Sequence, residues 1–268
     1  MLDERSEDRG ELIRYEVDGG VATITIDRPE KKGAMTYAML GEFIATVHEA
    51  GRDDAARVII LTGAPGTFCA GTDLADLQTI PGTERGTRGT AEQTDVWWPI
   101  VQCPKPVIAA VDGPAIGMGA EFTSQCDVRV ASTRARFGWV FVHRGLVPDT
   151  GAGTWLLPRL IGVPAALDLL YSGRIIDAAE ALAVGYVRSV VEPDDLLPTA
   201  RTVAESYLAG SPFAMRKIKA LAYEGLERSV HEHMTAHVEA LSACFKSEDH
   251  AEGVASFLER RPAQFTGR

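Results

Sequence analysis

The chain has 268 residues, of which 46% are hydrophobic and 24% are charged, and this balance excludes a disordered or collagen-like protein. Its formal net charge of −10 argues against binding to double-stranded nucleic acid, which requires a basic surface. The uninterrupted apolar runs, such as Val107–Val111, are far shorter than the roughly 20 residues that a membrane-spanning helix needs, so we expect no membrane partner.

The cysteines and the N-terminus favour a cytoplasmic protein. The four cysteines lie far apart and form no CxxC pair, which is typical of reduced thiols. The N-terminal sequence MLDERSEDRGEL lacks the apolar region of a signal peptide. We interpret residues 1–11 as a disordered acidic tail.

The first half of the chain alternates between strand and helix patterns. Residues 21–26 alternate in polarity as a strand does, and residues 36–50 carry apolar side chains at helical spacing, with Gly51 expected to end the helix. Two continuous apolar runs, at residues 58–61 and 107–111, are typical of strands that are buried on both faces of a parallel sheet. These patterns predict an α/β core.

Residues 75–95 show neither the helix nor the strand period. They are rich in Gly and Thr, which is typical of a surface loop. The alternative is a loop that becomes ordered over a substrate, because long irregular segments in compact domains often act as lids.

Helix signals dominate the second half of the chain. Polar N-cap residues begin three of the predicted helices, at Asp177-Ala-Ala-Glu180, Ser211-Pro212 and Ser229-Val-His-Glu232. We therefore predict a core over residues 12–200 and a helical C-terminal region over residues 201–268. The last helices have more apolar positions than a surface appendage should expose, so we expect them to pack between subunits.

Two glycine-containing turns each follow a buried strand, at residues 63–74 and 112–122. The second turn leads into an apparent helix, whose first N–H groups are unpaired and lie at the positive end of the helix dipole. Two N–H groups that converge from two such turns would form an oxyanion hole. Each turn alone is also consistent with a simple strand–helix connection.

Neither turn fits a nucleotide-binding motif. Phe122 stands where the dinucleotide fingerprint requires its third glycine, and Leu156 interrupts the run that begins at Gly151 in the same way. The chain contains no GxxxxGK[ST] motif. A Rossmann dehydrogenase and a P-loop protein are therefore disfavoured.

Taken together, these motifs resemble the crotonase superfamily, also called the enoyl-CoA hydratase/isomerase family. The similarity covers about residues 12–268 in the right order, and the matching stretches include Phe68-Cys-Ala-Gly-Thr-Asp-Leu74, Gly117-Met-Gly-Ala-Glu121, Gly145-Leu-Val-Pro148 and Leu157-Pro-Arg-Leu-Ile-Gly162. The resemblance implies a ββα spiral fold with a helical C-terminal oligomerisation region. It also implies acyl-CoA substrates, no cofactor beyond the coenzyme A of the substrate, and a homotrimer or a dimer of trimers.

The resemblance further assigns the residues of the site. The backbone N–H groups of Thr72 and Met118 would form the oxyanion hole, and Glu121 aligns with the first of two catalytic glutamates in the hydratases of the family. Contacts with the substrate or with coenzyme A are expected from Arg28, Lys31, Ala70, Gly71, Asp73, Leu74, Gly117 and Phe141. Of these residues, Asp73 is expected to brace its loop.

Phe141, Asp149 and Glu121 indicate which reaction the site could catalyse. Phe141 aligns with the second hydratase glutamate and cannot transfer a proton, which puts simple hydration in doubt. Asp149 aligns with the catalytic aspartate of many double-bond isomerases in the superfamily, and with the nucleophilic aspartate of the chlorobenzoyl-CoA dehalogenase. Two carboxyl groups facing one pocket, Glu121 and Asp149, could act as acid and base.

The leading hypothesis is an enzyme that shifts or hydrates a C=C bond next to an acyl-CoA thioester, with isomerisation favoured. The alternatives are a hydrolytic or nucleophilic acyl-CoA enzyme that uses Asp149, and an inactive acyl-CoA binder. Glu121 could instead stabilise the start of its own helix, and Asp149 could simply begin a turn. His233 and His237 lack the intervening Glu of a metal motif, so we predict no metal site.

Overall fold

The computed structural model describes residues 12–78 and 98–268. The predicted tail at residues 1–11 lies outside the described residues, and so do residues 79–95 of the predicted loop. Residues 75–78 belong to a short helix instead of a loop.

Along the chain, the strands are β1 (Ile13–Asp18), β2 (Val21–Ile26), β3 (Val58–Gly63), β4 (Val107–Val111), β5 (Pro114–Ile116), β6 (Val128–Ser132), β7 (Arg136–Gly138), β8 (Ile176–Asp177) and β9 (Ser189–Val191). The larger sheet has the order β1-β2-β3-β4-β6-β9, and the smaller sheet has the order β5-β7-β8. In the larger sheet, β1 pairs with β2 in antiparallel fashion and the other pairs are parallel.

In chain order, the helices of the described ranges begin with α1 (Tyr37–Arg52), α2 (Leu74–Gln78), α3 (Pro99–Gln102), α4 (Met118–Gln125), α5 (Ala152–Trp155), α6 (Leu157–Ile161) and α7 (Val163–Ser172). They are followed by α8 (Ala178–Ala183), α9 (Leu196–Leu208), α10 (Pro212–Glu224), α11 (Val230–Phe245) and α12 (Glu248–Glu259). Short 3₁₀ helices occur at Pro29–Lys31, Val140–Arg144 and Pro193–Asp195.

Both faces of the larger sheet are covered, which explains the continuous apolar runs of β3 and β4. Ile59 and Leu61 of β3 pack in the main core, which also contains side chains of α1 and α4. Val58 and Ile60, which point to the opposite face, pack in a second cluster with residues of α9. The strands β2 and β4 are confirmed with the same bounds that the sequence pattern predicts.

Two sequence expectations need adjustment. Gly51 does not end α1, which continues to Arg52. A Cβ at Gly51 would lie 3.2 Å from Cδ of Pro104, so glycine serves close packing at this position. The predicted boundary at residue 200 falls inside α9, whose buried side chains pack against the sheet.

The C-terminal helices differ in how they meet the core. Lys219 of α10 is buried, and its ammonium group donates to the carbonyl oxygens of Ile100 and Lys105 and to Asp127 at 2.9–3.1 Å. By contrast, α11 has no buried residue. Its exposed apolar face consists of Val230, Met234, Val238, Leu241 and Phe245. Within the described ranges, no helix is long and apolar enough to cross a membrane.

Candidate active site

Backbone hydrogen bonds fix the loop after β3 against β5. The Cys69 N–H donates to the carbonyl oxygen of Pro114 at 2.9 Å, and the Ile116 N–H donates to the carbonyl oxygen of Cys69 at 2.9 Å. On the other side of the loop, the Met35 N–H donates to the carbonyl oxygen of Gly71 at 2.9 Å. The two predicted glycine turns, which are far apart in sequence, therefore lie side by side.

Glycines make this close approach possible. Gly71 and Gly117 have φ angles of 102° and 56°, which residues with a Cβ rarely adopt. A Cβ added at Gly119 would overlap the carbonyl oxygen of Cys69. The backbone of the second turn can pack directly on the first because no side chain stands between them.

The two expected oxyanion-hole donors lie at these turns. Among the residues that the structure describes, none accepts a hydrogen bond from the backbone N–H of Thr72 or Met118. Met118 is the first residue of α4, so its N–H lies at the positive end of the helix dipole. A Cβ on Gly71 would lie 3.9 Å from the Met118 nitrogen. Two unpaired N–H groups in adjacent turns are what an oxyanion hole requires.

The side chains of Met118 and Phe141 are apolar and largely buried. Met118 packs in the main core and is 6% exposed. Phe141 lies in the 3₁₀ helix Val140–Arg144, and its Cζ would be 3.8 Å from a Cβ placed on Gly117. An aromatic ring therefore stands beside the second turn, at the position that aligns with the second hydratase glutamate.

Glu121 lies in the first part of α4 and is fully buried. Its Oε2 accepts a 2.7 Å hydrogen bond from the hydroxyl of Thr150, so the carboxyl group contacts a distant loop and is not a cap of its own helix. Burial raises the pKa of Glu121 to about 8, and the negative charge of Asp149 adds to this effect. The Thr150 hydrogen bond and the nearby N–H groups of Ala152 and Gly153 lower the pKa in part.

Asp149 follows the 3₁₀ helix and is accessible to solvent. Desolvation by the surrounding protein nevertheless raises the pKa of Asp149 to about 6. The backbone N–H groups of Thr150 and of Asp149 itself lower the pKa in part. Its charge raises the pKa of Cys69 as well as that of Glu121. This combination of solvent access and nearby protein is typical of a side chain in the wall of a cleft. It places Asp149 close to both the first turn and Glu121.

Arg28 and Asp73 form an ion pair that fastens the first turn. Nη1 of Arg28 donates to Oδ2 of Asp73 at 2.8 Å and to the carbonyl oxygen of Ala34 at 2.7 Å. The other carboxylate oxygen of Asp73 accepts from the Ala75 N–H at 2.9 Å. The hydrogen bond from Arg28 is the largest cause that lowers the pKa of Asp73. Asp73 thus links Arg28 to the start of α2, and the hydrogen bonds of Arg28 go to Ala34 and Asp73 of the protein.

The other expected contact residues surround the first turn. The Ala70 N–H donates to the carbonyl oxygen of Lys32 at 3.0 Å, which connects the turn to the segment that carries Lys31. Lys31 is exposed. Leu74 is 55% exposed and begins α2 directly after the turn. A ligand at the first turn could therefore contact the backbone of the turn, the apolar side chain of Leu74 and the ammonium group of Lys31.

Sequence reasoning missed Thr150, Trp98 and Gly153. The indole N–H of Trp98 donates to the carbonyl oxygen of Thr150 at 2.8 Å. Gly153 lies against Oε1 of Glu121, because a Cβ at this position would be 2.5 Å from that oxygen. Oε1 makes no hydrogen bond of good geometry with any described group. The only sequence signal for these contacts is the adjacency of Thr150 to Asp149.

Comparisons with known proteins extend over almost the whole chain. The model of the enoyl-CoA hydratase/isomerase family matches residues 16–268. A crotonyl-CoA hydratase from Syntrophomonas wolfei is 37% identical over 259 residues, which cover 96% of this chain and 99% of that protein. A 1,2-epoxyphenylacetyl-CoA isomerase from Escherichia coli is 33% identical over 261 residues, with 96% and 99% covered.

A solved structure supports the same assignment. The crystal structure of an enoyl-CoA hydratase from Bacillus anthracis superposes with a TM-score of 0.90 at 31% identity and covers 96% of this chain and 100% of that one. This likeness confirms the predicted α/β fold class with its helical C-terminal region. The chain belongs to the enoyl-CoA hydratase/isomerase family, the crotonase superfamily.

Proposed function

We propose that the protein acts on an acyl-CoA thioester and moves a C=C bond near the thioester carbonyl, by removing a proton from one carbon and returning a proton to another. The observation that carries this proposal is the position of Asp149. It is a solvent-accessible carboxylate whose charge reaches the turn of Thr72, whose N–H has no acceptor among the described residues. The N–H of Met118, which also has no acceptor in the described ranges, lies in the adjacent turn.

The two N–H groups would bind the thioester oxygen. When a base removes a proton from the substrate, the electron pair moves onto this oxygen and forms an enolate. Rigid donors stabilise that charge, and the loss of one such donor typically costs about 10²–10³ in kcat. The hydrogen bonds between Cys69 and β5 supply the rigidity.

The two carboxyl groups hold opposite protonation states near neutral pH. Asp149, with a pKa of about 6, is mainly ionised and can accept a proton. Glu121, with a pKa of about 8, is mainly protonated and can donate one. Environments that separate the pKa values of two groups define a base and an acid. Asp149 would therefore remove the substrate proton, and Glu121 would return a proton to the other carbon.

The two groups differ in access. Asp149 is open to solvent, whereas Oε1 of Glu121 lies under Gly153. Direct transfer from Glu121 therefore requires a displacement of residues 151–153 when the substrate binds. Gly151 and Gly153 favour such a displacement, because glycine tolerates a wide range of backbone angles.

Phe141 favours isomerisation over hydration. A hydratase must position a water molecule as well as move protons, and Phe141 presents an apolar ring where a second carboxylate would bind that water. Hydration is the second candidate, because the crotonyl-CoA hydratase is the more similar of the two relatives compared above.

The proposal is tested by incubating 2-enoyl- and 3-enoyl-CoA thioesters with the protein in D₂O. We expect bond migration with deuterium at the α- or γ-carbon and little 3-hydroxyacyl-CoA, measured by mass spectrometry. Asp149→Asn should lower both exchange and migration by about 10²–10⁴-fold, because it removes the base. Glu121→Gln should slow migration more than exchange, because Asp149 can still remove a proton and return it.

Other outcomes would point to the alternatives. Fast hydration of crotonyl-CoA that is unchanged in Asp149→Asn would contradict the isomerase assignment. A trapped acyl-enzyme on Asp149 would support nucleophilic chemistry, and tight binding without turnover would support an acyl-CoA binder.

We further propose that the reaction uses no cofactor beyond the coenzyme A of the substrate. The exposed Lys31 would contact the phosphates of that coenzyme A. The chain would act as a homotrimer or a dimer of trimers.

A further inference from the structure

Thr150 connects the two carboxyl groups of the site. It follows Asp149 directly in the chain, and its hydroxyl donates to Oε2 of Glu121 at 2.7 Å. Glu121 belongs to α4, far away in the sequence, so this hydrogen bond joins two separate segments at the site. Thr150 is not a residue to which the family resemblance assigns a role.

The surroundings of the Thr150 hydroxyl favour donation from Thr150 to Glu121. The Ala152 N–H donates to Oγ1 of Thr150 at 3.3 Å and occupies one acceptor position of the hydroxyl. Among the described groups, Oε2 of Glu121 is the acceptor for the hydroxyl hydrogen. Oε1 makes no hydrogen bond of good geometry, so it is the oxygen of Glu121 that can carry a proton without loss of the Thr150 hydrogen bond.

The backbone of Thr150 is held independently of its side chain. Its carbonyl oxygen accepts from the indole of Trp98 at 2.8 Å, and the ring of Trp98 packs against that of Trp155 with centroids 5.2 Å apart. Because Asp149 shares this backbone, the contacts that fix Thr150 also limit where the Asp149 carboxylate lies.

We propose that Thr150 is a positioning residue, which keeps the transferable proton of Glu121 on Oε1 and holds Glu121 and Asp149 in one arrangement. This inference rests on the proposed function. Among the described charged groups, Asp149 is the one whose charge raises the pKa of Glu121, and the Thr150 hydroxyl acts in the opposite direction. Removal of the hydroxyl should therefore raise the pKa of Glu121 further.

The test compares Thr150→Val, which keeps the shape but loses the hydroxyl, with Thr150→Ser, which keeps the hydroxyl. Thr150→Val should lower kcat about 10-fold with little change in KM, as expected for the loss of one hydrogen bond to a buried group. The alkaline limb of its pH profile should move to higher pH. Thr150→Ser should retain both the kcat and the pH profile of the unaltered protein.

A second readout does not depend on turnover. The Glu121 carboxyl can be titrated by NMR in protein labelled with ¹³C-glutamate, with Glu121→Gln identifying its signal. The signal should titrate at higher pH in Thr150→Val than in Thr150→Ser. Equal titration in the two variants, or an equal loss of kcat, would overturn the proposal. If the unaltered protein turns over no enoyl-CoA, the proposed function fails, while this titration still decides whether Thr150 controls Glu121.

Discussion

Gly119 determines how closely the two turns of the site approach each other. A side chain at this position would overlap the backbone of Cys69, which cannot move without breaking its hydrogen bonds to β5. Gly119→Ala should therefore displace the Met118 N–H and lower kcat by about 10²–10³-fold, the typical cost of one lost oxyanion donor. Steady-state kinetics with an enoyl-CoA substrate measure the effect.

Gly41→Ala is the matched control for this change. Gly41 lies in α1 with no atom within 4 Å of an added Cβ, and alanine is the better helix former. This variant should keep full turnover and unfold at the same or a slightly higher temperature. Similar losses of turnover in both variants would mean that Gly119 has no special part in the oxyanion hole.

The pH dependence of turnover should follow the two carboxyl groups. Asp149 must be ionised to accept a proton, so kcat should rise as the pH increases through about 6. Glu121 must be protonated to donate, so kcat should fall as the pH increases through about 8. A bell-shaped profile measured with saturating substrate would agree with these roles. A profile that stays level across both regions would contradict them.

The sequence points to the proposed catalytic residues but says little about their surroundings. Glu121 and Asp149 are located by motifs that resemble those of the family. The complete burial of Glu121 and its contact with Thr150 arise where two segments that are distant in sequence meet, so no local pattern reports them. The same holds for the ion pair of Arg28 with Asp73, since an arginine after a strand looks like an ordinary surface charge.

At the level of helices and strands, the sequence predicts an element correctly where its buried residues form a long apolar or periodic pattern. Strands β3 and β4 carry continuous runs of apolar residues because both faces of the sheet are covered there, and β2 shows the alternating polarity of a strand. The strands of the smaller sheet are two or three residues long, which is too short to show a period. The missed elements include β5, which positions the second turn of the site.

Lys219 anchors α10 to the core, together with Tyr223 of the same helix, whose hydroxyl also donates to Asp127. Its ammonium group satisfies two backbone carbonyls and Asp127 in a buried position. Lys219→Met should lower the free energy of unfolding by about 2–4 kcal/mol, because it removes the donor to two backbone carbonyls and the cation paired with Asp127. Urea denaturation measures the loss. Lys217→Met on the same helix is the control and should change stability by about 0.5 kcal/mol or less, and an equal effect of both would refute the anchoring role.

For the molecule as a whole, the apolar face of α11 indicates self-association. Its members lie at helical spacing on one side, and Val230 is 82% exposed. We expect Val238→Glu to convert the proposed oligomer to monomers, since a buried charge at a subunit interface is costly. Glu239→Lys, on the opposite face of α11, should leave the assembly intact. Light scattering measures both masses, and an unchanged trimer or hexamer in Val238→Glu would exclude this face as the interface.

The pairing of Cys69 with β5 has a consequence for the order of folding. Cys69 and β5 are separated by a long stretch of chain, and they follow the parallel strands β3 and β4, so we expect them to meet only after these strands have paired. Parallel pairing across a long loop is slow, because the entropy of closing the loop must be overcome before the contacts form. Helices such as α1 can form from local contacts, whereas the two N–H groups of the site become neighbours late. During refolding, enzymatic activity should therefore return after most of the helical signal, so that a chain with nearly complete secondary structure can still lack its catalytic centre.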